Sequence, residues 1–138
     1  MIAPFGAHQS HREISDPDNE LTRRVIGCAI EVHRTLGPGL LEAVYEACLC
    51  HELAQSGMEF VRQRRLPIVY KGHPIECDLK IDVMVEQILI IEVKAVQQVL
   101  PVHEAQLLTY LRVSGLKMGL LLNFNEATLK QGIRRRLL

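Results

Sequence analysis

Residues 88–96 read ILIIEVKAV, an apolar and β-branched run of the kind that fills a buried strand, interrupted by ionisable groups at Glu92 and Lys94. Burying a charge without a partner is expensive. Either this strand ends in solvent, or the two charges form a structural pair, or they carry chemistry. Successive strand side chains alternate faces, so Glu92 and Lys94 share one side while Leu89, Ile91 and Val93 share the other. The preceding segment divides in the same way. Asp78, Lys80 and Asp82 lie on one face, and Leu79, Ile81, Val83 and Val85 on the other, which marks the odd-numbered face as the core face.

That division restricts the hairpin between the two strands. A two-residue loop at Glu86 and Gln87 pairs Val85 with Ile88 and sets Asp82 against Ile91, mixing the faces. A loop over 86–88, or an equivalent bulge, pairs Val85 with Leu89 and Asp82 with Glu92. A slip of one residue exchanges the faces, so the apolar pattern selects the second arrangement. Opposed residues lie about 5 Å apart at Cβ, and the register therefore gathers two carboxylates and a lysine. A hard divalent ion, Mg²⁺ or Mn²⁺, resolves the repulsion between two such acids. Lys94 alongside can orient an attacking water or stabilise charge that builds on phosphorus. A partly exposed ion pair of Lys94 with Asp82 or Glu92, on an edge strand, fits the same residues. Taken by spacing alone, that is the commoner meaning of a D…ExK pattern.

The remaining chain supplies a scaffold. Its 138 residues suit one compact domain, expected over 15–138 behind a disordered tail at 1–14. Ser15 or Asp16 and Pro17 carry helix-start chemistry, and Val25, Cys28, Ala29, Val32 and Leu36 recur at helical spacing up to Gly37-Pro38-Gly39. A second helix is predicted over 40–56, with Leu41, Val44, Ala47, Cys48 and Leu53 near its apolar stripe. The period then changes. EFVRQRRLPIVY and HPIECDLKIDVMV read as strands separated by a Lys71-Gly72 turn, and ILIIEVKAV as a third. A helix stopped at Gly115, a buried strand KMGLLLNF and a short helix from Thr128 complete the chain. The order implies an α/β or α+β fold, a mixed sheet flanked by helices.

Composition narrows the functions. The apolar runs are far too short to span a bilayer, and the N-terminus lacks the basic start and apolar stretch of a secretion signal, so a cytoplasmic protein without membrane contact is expected. A formal net charge of zero argues against coating nucleic acid by bulk electrostatics. It leaves room for a local patch at Arg62, Arg64 and Arg65, or at Arg134, Arg135 and Arg136, although such clusters are usually solvated surface. Cys28, Cys48, Cys50 and Cys77 show no zinc-like spacing and read as reduced thiols.

Further polar residues recur at helical spacing: Glu42, Tyr45 and Glu46 on one face of the second helix, Gln106 and Tyr110 on one face of the later helix. Glu42 alone is explained by the helix dipole, Gln106 and Tyr110 by a surface pair, and His103 and Glu104 by a helix start. Together, however, these residues resemble the PD-(D/E)XK nuclease superfamily, and more closely the small GxxExxY proteins, whose name motif is similar to Gly39-Leu40-Leu41-Glu42-Ala43-Val44-Tyr45. Asp82 followed by Glu92-Val93-Lys94 is similar to the nuclease signature, and PVHEAQLLTYLR with GLLLNF looks like the remaining family blocks. The resemblance runs from about Glu20 onward.

The resemblance implies a restriction-endonuclease-like αβββαβ core. It implies a metal, Mg²⁺ or Mn²⁺, held by Asp82, Glu92 and the Val93 backbone carbonyl, with Lys94 as catalytic lysine. Glu42 resembles an additional helix acid near the metal, and Gln106 with Tyr110 a QxxxY element bordering the site; Tyr45 and Tyr110 are supporting residues. Ile81 stands where the signature often has proline. The function implied is metal-dependent hydrolysis of phosphodiester bonds in DNA or RNA, with Arg62, Arg64 and Arg65 as nucleic-acid contacts and a homodimer that embraces a duplex. The alternative is a non-catalytic module on the same fold that binds nucleic acid or protein.

Overall fold

Helical spacing becomes a buried stripe in α1 (Asp16–Leu36), where Leu21, Val25, Cys28, Ala29 and Val32 all leave water. The computed structural model describes residues 16–138; the tail expected over 1–14 and the Ser15 cap lie outside the described residues. Gly37, with φ of +70°, ends α1 by donating its N–H to the His33 carbonyl at 2.7 Å. α2 (Glu42–Gln55) follows.

The strands are β1 (Phe60–Arg65), β2 (Ile68–Tyr70), β3 (His73–Ile75), β4 (Lys80–Val85) and β5 (Leu89–Lys94), then α3 (Pro101–Ser114), β6 (Met118–Asn123) and β7 (Ile133–Leu137). Five of them form a mixed sheet ordered β1-β4-β5-β6-β7, antiparallel except where α3 carries the chain from β5 to a parallel β6. β2 and β3 form a separate hairpin about the expected Lys71-Gly72 turn, so each of the two long strands read from the sequence divides in two. The short helix expected from Thr128 is only a single 3-10 turn, Leu129–Gly132; the chain then enters β7, whose arginines hide its strand character.

Helices cover both sheet faces. α1 and α2 pack on Val83, Val85, Leu89, Ile91 and Val93, the odd-numbered face expected to be the core. Leu79 and Ile81, expected on that same face, instead pack with the opposite cluster under α3, because the alternation of β4 breaks at Asp82 opposite the left-handed Gln63 of β1. The even-numbered face is not left open: Met84, Ile90 and Leu121 lie under Leu107, Tyr110 and Leu111 of α3. A parallel connection with a crossover helix demands this second layer. The stripe predicted for α2 is also rotated. Leu41 is 78% exposed and Val44 and Ala47 also face solvent, whereas Tyr45, Glu46, Leu49, Cys50 and Leu53 are buried. Glu46 and the Tyr45 hydroxyl can turn inward because each finds hydrogen-bond partners there, which a hydropathy pattern does not register.

Both sheet edges carry arginines, Arg62, Arg64 and Arg65 on β1 and Arg134, Arg135 and Arg136 on β7, charges that discourage edge-to-edge association. All four cysteines are free. No helix among the described residues is long and apolar enough to cross a membrane.

The end of β6 is held by close approach. A Cβ on Gly132 would stand 2.1 Å from the Asn123 carbonyl oxygen, a backbone atom that cannot swing aside. Gly132→Ala is expected to lower stability by about 1–3 kcal/mol, read as an earlier midpoint in thermal or urea unfolding; an unchanged midpoint would show that the 3-10 turn has slack.

Candidate active site

The odd-length hairpin forms as the apolar pattern requires. Val85 pairs with Leu89, Met84 with Ile90 and Val83 with Ile91. Glu86 and Gln87 take left-handed conformations, φ +54° and +56°, and Ile88 returns its N–H to the Val85 carbonyl at 3.0 Å. Beyond Val83 and Ile91 the ladder stops. Lys80 and Ile81 remain paired with β1, while Glu92, Val93 and Lys94 pair with β6. The two central strands part where Asp82 and Glu92 face each other.

The acids take over the hydrogen bonds that the ladder gives up. Val93 donates its N–H to Asp82 Oδ2 at 2.9 Å, and Asp82 donates its own N–H to Glu92 Oε1 at 3.4 Å. Each carboxylate is thus tied to the opposite strand's backbone, a tie that only acceptors of this reach can make. Glu92 is 4% exposed. Burial, then the nearby Asp82 carboxylate, pushes its pKa up to about 8, against the pull of the Asp82 N–H and Lys94. Burial raises Asp82 as well, opposed by the Val93 N–H and Lys94 and reinforced by Glu46 and Glu42.

Lys94 completes the line, its Nζ donating to Gln106 Oε1 at 3.4 Å, while Gln106 Nε2 donates to the Tyr110 hydroxyl at 3.0 Å. The expected pairing of Gln106 with Tyr110 on one helix face is present. Tyr110 is buried beside the acids rather than on the surface, and burial with the Glu92 and Asp82 charges pushes its pKa up to about 12. Glu42, at the start of α2, reaches the same end of β5 and accepts the Ala95 N–H, next to Lys94, at 3.3 Å.

Tyr45 lies elsewhere. Its ring is fully buried and stacked on Phe124 with centroids 4.6 Å apart, and its hydroxyl donates to the Gly37 carbonyl at 2.6 Å while accepting the Leu40 N–H at 3.1 Å. It pins the Gly37-Pro38-Gly39 turn from which α2 presents Glu42. Of the three arginines, Arg62 is bound to Glu46 at 3.0 Å and Arg65 to Asp78 at 3.2 Å, and Arg64 makes no ion pair among the described residues.

Three residues given no role from the sequence shape the site. Glu46 is 6% exposed and receives Arg62 together with both 3.0 Å contacts from Gln63 Nε2. Gln63 adopts φ of +51° inside β1, a conformation that costs a residue with a Cβ about 1–2 kcal/mol, and so reaches Glu46 and also Asp82 Oδ1 at 3.5 Å. Asn123 is fully buried and clasps the segment after β5, accepting the Val96 N–H at 3.0 Å and donating to the Val96 carbonyl at 2.9 Å. Helical spacing with Glu42 and Tyr45 marked Glu46; nothing marked Gln63 or Asn123.

The donor set suits a hard cation. Two carboxylates with raised proton affinity sit beside the Val93 main chain, and Mg²⁺ is commonly held by one or two carboxylates with waters and substrate phosphate. Among the described residues no three His, Cys, Asp or Glu side chains converge to hold a metal ion, so Glu42 does not join Asp82 and Glu92 as a third carboxylate ligand.

This sheet order, with an acid at the parting of its central strands and ExK on the neighbouring one, defines a nuclease-type fold. A family model of the PD-(D/E)XK nuclease superfamily matches residues 19–136, and the chain belongs to that superfamily. No curated protein and no solved structure matches the chain. Membership supports a nuclease-type function on nucleic acid, in a group that generally uses divalent metal ions.

The buried acid pair has a consequence for stability. Glu92 binds its proton more tightly folded than unfolded, its pKa rising from the ordinary 4.5 to about 8. Stability is therefore fullest below about 4.5 for this group and is lost progressively as pH rises towards 8, by a total on the order of 5 kcal/mol. Glu92→Gln is expected to remove that part of the slope in chelator-treated protein, measured as urea midpoints from pH 5 to 9. A variant as pH-sensitive as wild type would refute the assignment.

Proposed function

We propose that the chain is a Mg²⁺- or Mn²⁺-dependent nuclease that hydrolyses phosphodiester bonds in DNA, of the small GxxExxY type. The observation that carries this reading is the parting of β4 from β5 at Asp82 and Glu92, with Lys94 one step further along the same strand face. Asp82, Glu92 and the Val93 carbonyl would hold the ion, with Glu42 near enough to add to the negative field. The ion, when bound, polarises the phosphate and lowers the pKa of its water.

The chain's own residues do the rest. Lys94, steadied by Gln106, supplies a positive charge and three N–H donors that position the attacking water or meet charge developing on the phosphate. Gln106 is in turn oriented by Tyr110, whose hydroxyl stays protonated at neutral pH. Arg64, exposed on the edge strand, is a phosphate contact; Arg62 and Arg65 are available to substrate only at the expense of their acid partners.

The test is cleavage of plasmid, single-stranded DNA and RNA at millimolar-range Mg²⁺ or Mn²⁺. Wild type is expected to cut DNA, with Asp82→Ala and Lys94→Ala each slower by about 100-fold or more and a chelator abolishing activity. Cutting of RNA alone would move the substrate. No metal-dependent cutting, or equal cutting by the variants, would leave a binding module on the nuclease fold.

A further inference from the structure

The β2–β3 hairpin is absorbed by neither the sheet nor the acid site. It leaves the sheet after Arg65 and returns at Lys80. Its surface is unusual for a six-residue ribbon: Val69 is 65% exposed, Tyr70 60% and Ile75 44%, and the Lys71 ammonium stands 5.4 Å from the centre of the Tyr70 ring. From Phe60 to Ile75 the sequence holds Arg62, Arg64, Arg65 and Lys71 and no acid, in a chain whose net charge is zero. Glu46 and Asp78 engage Arg62 and Arg65, which leaves Arg64 and Lys71 as the cations of this surface without an ion pair among the described residues. An open cleft of about 510 Å³ lies between the 65–67 and 75–78 arms that join the hairpin to the sheet.

We infer that this hairpin grips an unpaired nucleic-acid strand, stacking a base on Tyr70 and meeting phosphates with Lys71 and Arg64. The inference rests on the nuclease reading for its choice of partner. The chemistry favours a single strand over a duplex. Cations alone suffice for the phosphate ridges of a duplex, whose bases are already stacked on one another. An exposed tyrosine flanked by apolar side chains offers a face that only a splayed base can use. The hairpin is also within reach of the acids. Asp78, at its returning arm, is four residues from Asp82, at most about 13 Å at strand rise. Tyr70 itself, paired with His73, sits at the far tip of the hairpin, so a strand stacked on it runs back along the ribbon to reach Asp82 and Glu92.

Fluorescence anisotropy with labelled oligonucleotides of one length, as single-stranded DNA, single-stranded RNA and duplex DNA, tests this on full-length Asp82→Ala protein in chelator, where nothing is cut. Single strands are expected to bind more tightly than duplex. Tyr70→Ala should weaken single-strand binding about tenfold while Tyr70→Phe retains it. Lys71→Gln and Arg64→Gln should each lower the logarithmic salt slope by about 0.7. These side chains are exposed, and matching circular dichroism verifies folding. Equal binding by Tyr70→Ala, preference for duplex, or no binding to any oligonucleotide would overturn the inference. If wild type cuts nucleic acid in Mg²⁺ while Tyr70→Ala binds normally, the hairpin role fails and the nuclease reading stands. If Tyr70 governs binding and wild type never cuts, the hairpin role stands and the nuclease reading fails.

Discussion

The Asp82 carboxylate accepting the Val93 N–H is the interaction on which the rest of the site depends. Two antiparallel strands cannot separate inside a sheet without stranding backbone donors, and a buried unpaired N–H is costly. Here the side chains of the separating residues fill the places that the ladder vacates. The arrangement opens a gap between β4 and β5 while keeping β4 on β1 and β5 on β6. The gap is lined by oxygen, and its two acids are held above their ordinary proton affinity, a state that favours either protons or a cation.

The surrounding structure holds that gap in shape. Gln63 gives up a relaxed strand conformation to bridge Glu46 and Asp82, and Arg62 neutralises Glu46 from the exposed side. On the far side, Asn123 fixes the chain just after β5, and Phe124 donates its N–H to the Lys94 carbonyl at 2.9 Å, so the lysine's backbone cannot drift. Tyr45 sets the start of α2 and thereby Glu42. α3 crosses the even-numbered face close enough that a Cβ on Gly119 would meet Leu107 at 2.7 Å, and this brings Gln106 and Tyr110 to the acids. In the proposed nuclease, rigid support of this kind would hold the reacting geometry before substrate arrives.

Much of this was legible in the residues because strand alternation holds from Val83 round the hairpin to Val93, although it breaks before Val83, where Ile81 turns to the other face. The odd apolar set Val83, Val85, Leu89, Ile91 and Val93 admits one hairpin register, and that register is found. The even face was read too lightly: only the odd face was marked as core, whereas Met84 and Ile90 are buried under the crossover helix. The α2 stripe misled for the opposite reason. Leu41 and Val44 look like core, but the buried face is set by the hydrogen-bonding reach of Tyr45 and Glu46, which depends on the distant Gly37 turn and on Arg62. β7 was hidden by three successive arginines whose alkyl stems and edge position make them acceptable in a strand. Asn123 and Gln63 act through backbone geometry, which no spacing rule encodes.

The central claim is that Asp82 and Glu92 form a divalent-cation site. Calorimetric titration of the full-length protein with Mn²⁺ measures it without requiring a substrate. One binding event per chain is expected, abolished in Asp82→Ala and unaltered in Glu52→Gln, an α2 acid outside the cluster. A wild type that takes up no Mn²⁺, or an Asp82→Ala protein that binds it as tightly as wild type, would contradict the account.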